Sequence, residues 1–405
     1  MKINAGRHNM QDFTYVNKTE IHFGHDRIQS ELRPVLERFG KRVLLTYGGG
    51  SIKKNGLYDQ VKDLLGGFDI FELSGIAPNP KIDSVREGQK IAKAENVDVI
   101  LAVGGGSVID ASKVIGSAKF YEGDPWDLVI NPSLRKEIDQ VPVVDILTLA
   151  ATGTEMNYGS VISNPETNQK LGTYGPKSPA VSFEDPELTY SVSKWQTAAG
   201  AIDIMSHLFE QYFDNAANKD VQDGLKEGIM RADIKWADTA LQEPENYDAR
   251  ANLMWASTMA LNGIVGLGNE NGWTVHPIEH EVSAYYDITH GVGLGILTPR
   301  WMQYVLSAET APKFAQYGRN VWHLTGDDDM TVAKAAIQKT YDWIKSLDVP
   351  MTLPEVGIDS DEHFQAMAES AVKVGQLDKH AYVSLQPSDV VKIFEASMTT
   401  EGFEA

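Results

Sequence analysis

Between residues 203 and 290 the chain sets one aspartate and four histidines that could hold a divalent cation: Asp203 and His207 in AIDIMSHLFE, His276 and His280 in GWTVHPIEHEVSAYYD, and His290 in ITHG. Asp203 and His207 stand four apart in a segment with helical apolar spacing (Ile202, Met205, Leu208, Phe209), so a carboxylate and an imidazole share one face. His276 and His280 repeat that spacing, and His290 precedes GVGLG, which reads as a turn-like glycine cluster. A single helical histidine is usually a surface or core residue. Four of the chain's ten histidines in one window, with an aspartate, are harder to explain that way. Neutral imidazoles with one carboxylate suit a borderline first-row ion, Fe(II) or Zn(II).

The same residues admit a second chemistry. His276-Pro277-Ile278-Glu279-His280 has the H-x-x-E-H form, in which both histidines bind zinc and the glutamate serves as base for peptide hydrolysis. That reading puts a proline inside the catalytic motif. It also leaves unused a second set of residues, upstream, that could do chemistry.

Those upstream residues are glycines at strand ends. Val43 to Tyr47 is a short apolar run ending in Gly48-Gly49-Gly50-Ser51, and VDVILAV ends in Gly104-Gly105-Gly106-Ser107. Where a parallel strand gives way to a helix, free backbone N–H groups and the helix dipole favour an anion, and glycine lets a diphosphate approach the main chain. GGGSVIDASK is neither the G-x-G-x-x-G fingerprint nor a P-loop, since no Gly-Lys-Ser/Thr follows. At Gly48 to Ser51 no carboxylate that would hold an NAD ribose appears before Asp59, whereas Lys53 and Lys54 follow at once. Small residues leave room for a 2′-phosphate, and each charge-assisted hydrogen bond to it is worth about 1.5–3 kcal/mol. A preference for NADP(H) over NAD(H) is the expectation.

The elements that must position these groups follow a pattern. Residues 13 to 24 read as one or two strands, followed by a helix from Asp26 to about Phe39. Strand-like runs at 43–47, 68–73, 97–103 and 141–149 alternate with helices of 12 to 15 residues, which implies βαβ units and a parallel sheet. Pro78 and Pro80 interrupt the chain at IAPNP, and residues 160 to 174 read as a hairpin turning near Asn164-Pro165. From Ser193 the strand signals stop and helical periodicity runs almost to the end. The expected organisation is an α/β domain over residues 1–192 and an all-helical domain over 193–405, packed around a shared cleft.

With 405 residues the chain can build two cores, and its net charge of −20 argues against nucleic-acid or anionic-membrane partners. It has no cysteine, which removes disulfides, thiol nucleophiles and thiolate-bound metal, and so excludes a cysteine-ligated zinc dehydrogenase. MKINAGRHNMQDF lacks an apolar leader core and no later run approaches a membrane span, so a soluble, cytoplasmic protein is expected.

Taken in order, GGGSVIDASK, TLAATGTEMN, AIDIMSHLFEQY, EPENYDARANLMWASTMALNG and GWTVHPIEHEVSAYYDITHG resemble the iron-containing (group III) alcohol dehydrogenases, in particular the branch of bacterial butanol dehydrogenases and NADPH-dependent aldehyde reductases. The resemblance covers nearly the whole chain. It implies α/β plus all-α architecture like that of dehydroquinate synthase, with a dinucleotide-binding domain, a helical metal domain and a homodimer. The metal ligands would be Asp203, His207, His276 and His290, with His280 beside the metal as proton relay. The cofactor would contact Gly49, Ser51, Asn79, Gly105, Gly106 and Ser107, with Thr148, Thr152, Asn157 and Lys170 completing its pocket. Pro277 directly after His276 fits only if a helix starts at about Thr274. The implied reaction is reversible hydride transfer between NADP(H) and an aldehyde/primary alcohol pair. An NAD-dependent polyol dehydrogenase and a dehydroquinate-synthase-like lyase are the rivals within the superfamily.

Overall fold

The computed structural model describes residues 9–403; residues 1–8, most of the stretch read above for a leader, lie outside them, as do residues 404 and 405. No helix among the described residues is long and apolar enough to cross a membrane. The chain divides into two compact units.

The first unit joins Val16–Ser193 with Glu243–Asn262. Its eight strands are β1 (Glu20–Phe23), β2 (Arg42–Tyr47), β3 (Asp69–Leu73), β4 (Val99–Gly104), β5 (Val143–Leu147), β6 (Gly159–Asn164), β7 (Gln169–Tyr174) and β8 (Val181–Glu184). Six form a parallel sheet in the order β1-β8-β5-β4-β2-β3, and β6 and β7 form the expected antiparallel hairpin. The continuous apolar runs are explained by burial on both faces. Leu44, Ile100, Ala102 and Val143 join one core layer, while Val43, Leu45, Val99, Leu101, Val103 and Val144 join the other, so successive residues alternate between layers.

The region 13–24 yields one strand, within the one or two expected. One strand has no counterpart in the sequence reading: β8, which lies between β1 and β5. A four-residue strand puts only two side chains on each face, too few for a periodic signal; its place is set by neighbours pairing on both sides.

Chain order against spatial order reveals where this sheet can bind. From β2 the chain goes out to β3 and returns past β2 to β4, so the winding direction reverses between β2 and β4. Ligands of open α/β sheets sit outside the carboxyl ends of the strands at such a reversal. Both glycine-rich segments, 48–50 and 104–106, leave the sheet there.

The second unit comprises residues up to Tyr15, Lys194–Gln242 and the chain from Gly263. It is built from the helices Lys194–Tyr212, Asp220–Gln242, Val275–Tyr286, His290–Val305, Ala311–Trp322, Asp329–Ser346, Phe364–Gly375 and Pro387–Ala396. The boundary between the halves falls at Ser193/Lys194, but the helix Tyr247–Leu261, expected in the helical half, groups with the α/β unit. Hydrogen bonds explain the move. Gly153 N donates to Ser257 Oγ at 3.2 Å, and Thr258 Oγ1 lies 2.7 Å from Glu155 Oε1 and 3.3 Å from Glu184 Oε2. Burial pushes the Glu155, Glu184 and Asp145 carboxyls upward, and for Glu184 the two neighbouring acids push further.

Replacing Thr258 with Val keeps the shape but removes the hydroxyl between two buried carboxyls. We expect the α/β unit to lose about 1–3 kcal/mol, read as a lower urea midpoint; an unchanged midpoint would show that Thr258 is not what ties this helix down.

Candidate functional site

The metal-type residues come from three helices of the helical unit. Lys194–Tyr212 carries Asp203, His207 and Glu210; Val275–Tyr286 carries His276, Glu279 and His280; His290 opens His290–Val305. The helix Val275–Tyr286 has Thr274 as its N-cap, so Pro277 occupies the first turn, where its missing N–H would have no intrahelical acceptor. GVGLG is not a turn. It is helical, and the glycine is needed for proximity: a Cβ at Gly291 would collide with the carbonyl oxygen of Ala199. That close crossing brings His290 up to the helix of Asp203.

One atom is the hub. Asp203 Oδ1 lies 3.4 Å from His207 Nε2, 3.7 Å from His276 Nε2 and 3.6 Å from His290 Nε2. These separations are long for hydrogen bonds, and Asp203 Oδ1 and His276 Nε2 are buried without any hydrogen-bond partner. Orphaned buried polar atoms are costly. The same separations fit the edges of a tetrahedron, about 3.4 Å, around an ion with bonds of roughly 2.1 Å. Ligand atoms of Asp203, His276 and His290 all lie within 4.8 Å of one another, while His207 stands at the edge of this trio, its ring stacked on His276 with centroids 4.9 Å apart.

Two glutamates aim the imidazoles. Glu210 Oε1 lies 3.0 Å from His276 Nδ1 and accepts from His276 N at 2.6 Å, and its Oε2 accepts from Thr274 N at 2.6 Å. Glu279 contacts His290 Nδ1 and accepts from Ser283 Oγ. Each leaves Nε2 facing Asp203. Glu210 was overlooked in the sequence, although it stands seven residues after Asp203, two helical turns along the same face. Glu279, the base of the H-x-x-E-H reading, is occupied with His290 and Ser283, which removes the hydrolase's general base. His280 sits beside His290, with ring centroids 5.5 Å apart, and joins a second grouping with Glu279 and His290. Trp273 adds an apolar wall 4.6 Å from the His276 ring centre.

The electrostatics suit a cation. Burial alone would raise the Asp203 carboxyl, but the surrounding imidazoles outweigh it and hold the group at about 2. Burial pushes His207 down to about 4, so it is neutral at pH 7. At His276 burial is overcome by Asp203 and Glu210, which lift the metal-free group to about 9.

In the α/β unit the cofactor-type residues gather at the carboxyl ends of β2, β4 and β5. Gly105 caps the helix Gly106–Ala118, Ser107 lies in its first turn, and a Cβ at Gly106 would collide with Thr152. Thr148 N donates to Gly104 O at 3.0 Å. Asn79 adopts a left-handed backbone in the PNP turn. Pro80 O accepts from Ser163 N at 2.9 Å, and Ser163 pairs with Lys170 across the hairpin, which carries Lys170 alongside that turn. The Asn157 amide is held by Gly153, Gly159 and Lys113. The IDASK segment supplies what was not foreseen: buried Lys113 donates to Thr154 O at 2.9 Å and Oγ1 at 2.6 Å, and Asp110 accepts from Thr154 Oγ1 and from Val161 N. Asp110 and Lys113 thus lock the 154–161 segment onto the glycine helix.

Comparison with known proteins agrees with both parts. The family model "Iron-containing alcohol dehydrogenase" matches residues 18–186, and "Fe-containing alcohol dehydrogenase family, C-terminal" matches 197–398. The chain is 46% identical over 392 residues to NADH-dependent butanol dehydrogenase A of Clostridium acetobutylicum, covering 96% of this chain and 100% of that protein. It is 39% identical to the NADPH-dependent aldehyde reductase YqhD of Escherichia coli, covering 86% and 90%. The crystal structure of NADH-dependent butanol dehydrogenase A from Thermotoga maritima superposes with a TM-score of 0.90 at 35% identity, covering 97% of this chain and 100% of that one.

Two outcomes follow for a divalent ion at Asp203. Because the metal-free His276 holds its proton up to about 9, metal uptake at pH 7 should release that proton. Affinity should rise by up to about tenfold per pH unit from 7 and level off above 9, as read by chelator competition. Glu210→Ala should weaken binding about 10- to 100-fold; a pH-independent affinity, or an unaffected variant, would contradict this ligand set.

Proposed function

The chain belongs to the iron-containing alcohol dehydrogenase family, and on that premise we propose that it reduces an aldehyde to a primary alcohol, reversibly, at one divalent metal held by Asp203, His207, His276 and His290, with NADP(H) as the hydride carrier. The observation that carries this reading is the orphaned Asp203 oxygen facing three imidazole nitrogens.

When bound there, Fe(II) or Zn(II) supplies a Lewis acid that polarises the carbonyl and favours charge on its oxygen. The protein does the rest. Glu210 and Glu279 fix the tautomer and aim of His276 and His290. Trp273 offers an apolar surface for an alkyl chain beside the imidazoles. The dinucleotide, when bound, would supply the hydride for the carbonyl carbon, and the chain must then provide a proton for the oxygen. His280, beside His290, is our candidate for delivering it, directly or through water.

The cofactor half rests on the end of β2. A Cβ at Gly49 would meet nothing within 4 Å, which leaves room beside Ser51 for a 2′-phosphate. The NADPH-dependent E. coli relative supports this choice, while the NADH named for the clostridial relative favours the alternative, an NAD(H) enzyme on the same scaffold. We further propose that the protein acts as a homodimer in the cytoplasm.

The test is aldehyde-dependent oxidation of NADPH by metal-stripped protein re-supplied separately with Fe(II) and Zn(II), with NADH in parallel. Turnover should depend on added metal and favour NADPH; activity in the stripped protein would overturn the metal reading, and faster NADH oxidation the cofactor reading. His207→Ala should cut turnover at least about a hundredfold by loosening the ion. His280→Ala should lower turnover and change its pH profile; an unaltered profile at full rate would remove the relay.

A further inference from the structure

Immediately after the Gly49–Ser51 turn, Lys53 is an exposed residue whose ammonium lies over two aromatic rings, a placement the metal chemistry does not require. Its ammonium stands 5.1 Å from the centre of the Tyr47 ring and 4.6 Å from that of Tyr58. Both lie within the range in which an aromatic face attracts a cation. The two rings meet edge to face with centroids 5.6 Å apart. Lys53 makes no ion pair with any described residue, so its charge stays available.

The rings are themselves tied to one carboxylate. Tyr47 donates to Glu72 Oε2 at 2.9 Å, Tyr58 donates to Oε1 at 2.8 Å, and Lys62 Nζ reaches the same Oε1 at 2.9 Å. Glu72 lies near the carboxyl end of β3, paired with Leu45 of β2. It is therefore an acid on the strand next to the proposed cofactor turn, where an acceptor for a ribose hydroxyl would be valuable to an NAD enzyme. Here three donors already occupy it. The hydrogen bond to Glu72, then burial, push the Tyr58 phenol up to about 12, so it remains a donor across the physiological range.

We propose that Tyr47, Tyr58 and Glu72 form a positioning cage that holds the Lys53 ammonium as the cation for the 2′-phosphate of NADP(H), and that occupying Glu72 ties up an acid on the neighbouring strand that could otherwise bind the 2′-hydroxyl of NAD(H). The cage deepens the NADP(H) reading and rests on it for its ligand. A flexible lysine loses rotamer freedom on binding phosphate, and the two rings restrict that freedom beforehand.

The experiment uses the full-length protein and titrates adenosine 2′,5′-bisphosphate and AMP by calorimetry, alongside kcat/KM for NADPH and NADH. The quantity read is the ratio of affinities for the 2′-phosphorylated and unphosphorylated partners. Lys53→Gln should lower that ratio about tenfold or more, the loss of a charge-assisted contact. Tyr58→Leu should lower it about two- to fivefold, and Tyr58→Phe, which keeps the ring and drops the hydroxyl, by less. The wild-type ratio tests the NADP(H) reading, whereas its change on substitution tests the cage. An unchanged ratio in Lys53→Gln, or equal weakening of both ligands in Tyr58→Leu with Tyr58→Phe like wild type, would overturn the proposal.

Discussion

A buried carboxylate oxygen without a hydrogen bond, ringed by three imidazole nitrogens, is an arrangement a protein does not keep for stability alone. Leaving Asp203 Oδ1 and His276 Nε2 unpartnered costs free energy that neighbouring donors could easily have recovered. The helical unit instead holds them apart. Glu210 and Glu279 take the far nitrogens of His276 and His290, and this fixes which nitrogen of each ring looks inward. Gly291 then sets how closely the His290 helix crosses the Asp203 helix. Without each of these the four groups would either drift apart or close onto one another as ordinary ion pairs.

The α/β unit meets a parallel demand by different means. A diphosphate needs exposed backbone amides at a strand end, which requires glycine and a loop held open rather than collapsed. The loop is braced from below by Asp110 and Lys113, a buried pair that shares Thr154 and reaches Val161. Lys113 is fully enclosed, and burial lowers it to about 8 against the pull of Asp110, so the pair is held by its hydrogen bonds as much as by charge. Two further buried acids, Glu155 and Glu184, anchor the helix Tyr247–Leu261 through Thr258, while Asp145 beside them accepts from Ser182 within the sheet. That helix is reached only after the chain has built two long helices of the other unit, so the two units are interleaved in sequence.

Much was decided by the sequence itself. The alternation of apolar runs and helical stretches required a parallel sheet, because strands hidden on both faces cannot alternate polar with apolar residues. Asp203 and His207 had to share a face, since four residues make about one helical turn. The glycines after β2 and β4 marked the strand ends where an anion can approach. Motif order over nearly the whole chain also carried the family.

Only the tertiary structure decided the rest, because the deciding distances join residues far apart in the chain. Nothing local distinguishes a glycine cluster that turns from one that lets two helices touch, so GVGLG reads as a turn in the sequence and is helical where Gly291 packs against Ala199. Glu210 and Glu279 are unremarkable helical glutamates until the imidazoles they steer are in place. The strand Val181–Glu184 and the transfer of Tyr247–Leu261 to the α/β unit both depend on partners that local periodicity cannot name. Local sequence sets the period and the turn; which faces finally meet is set by packing and by the satisfaction of buried polar groups across the whole chain.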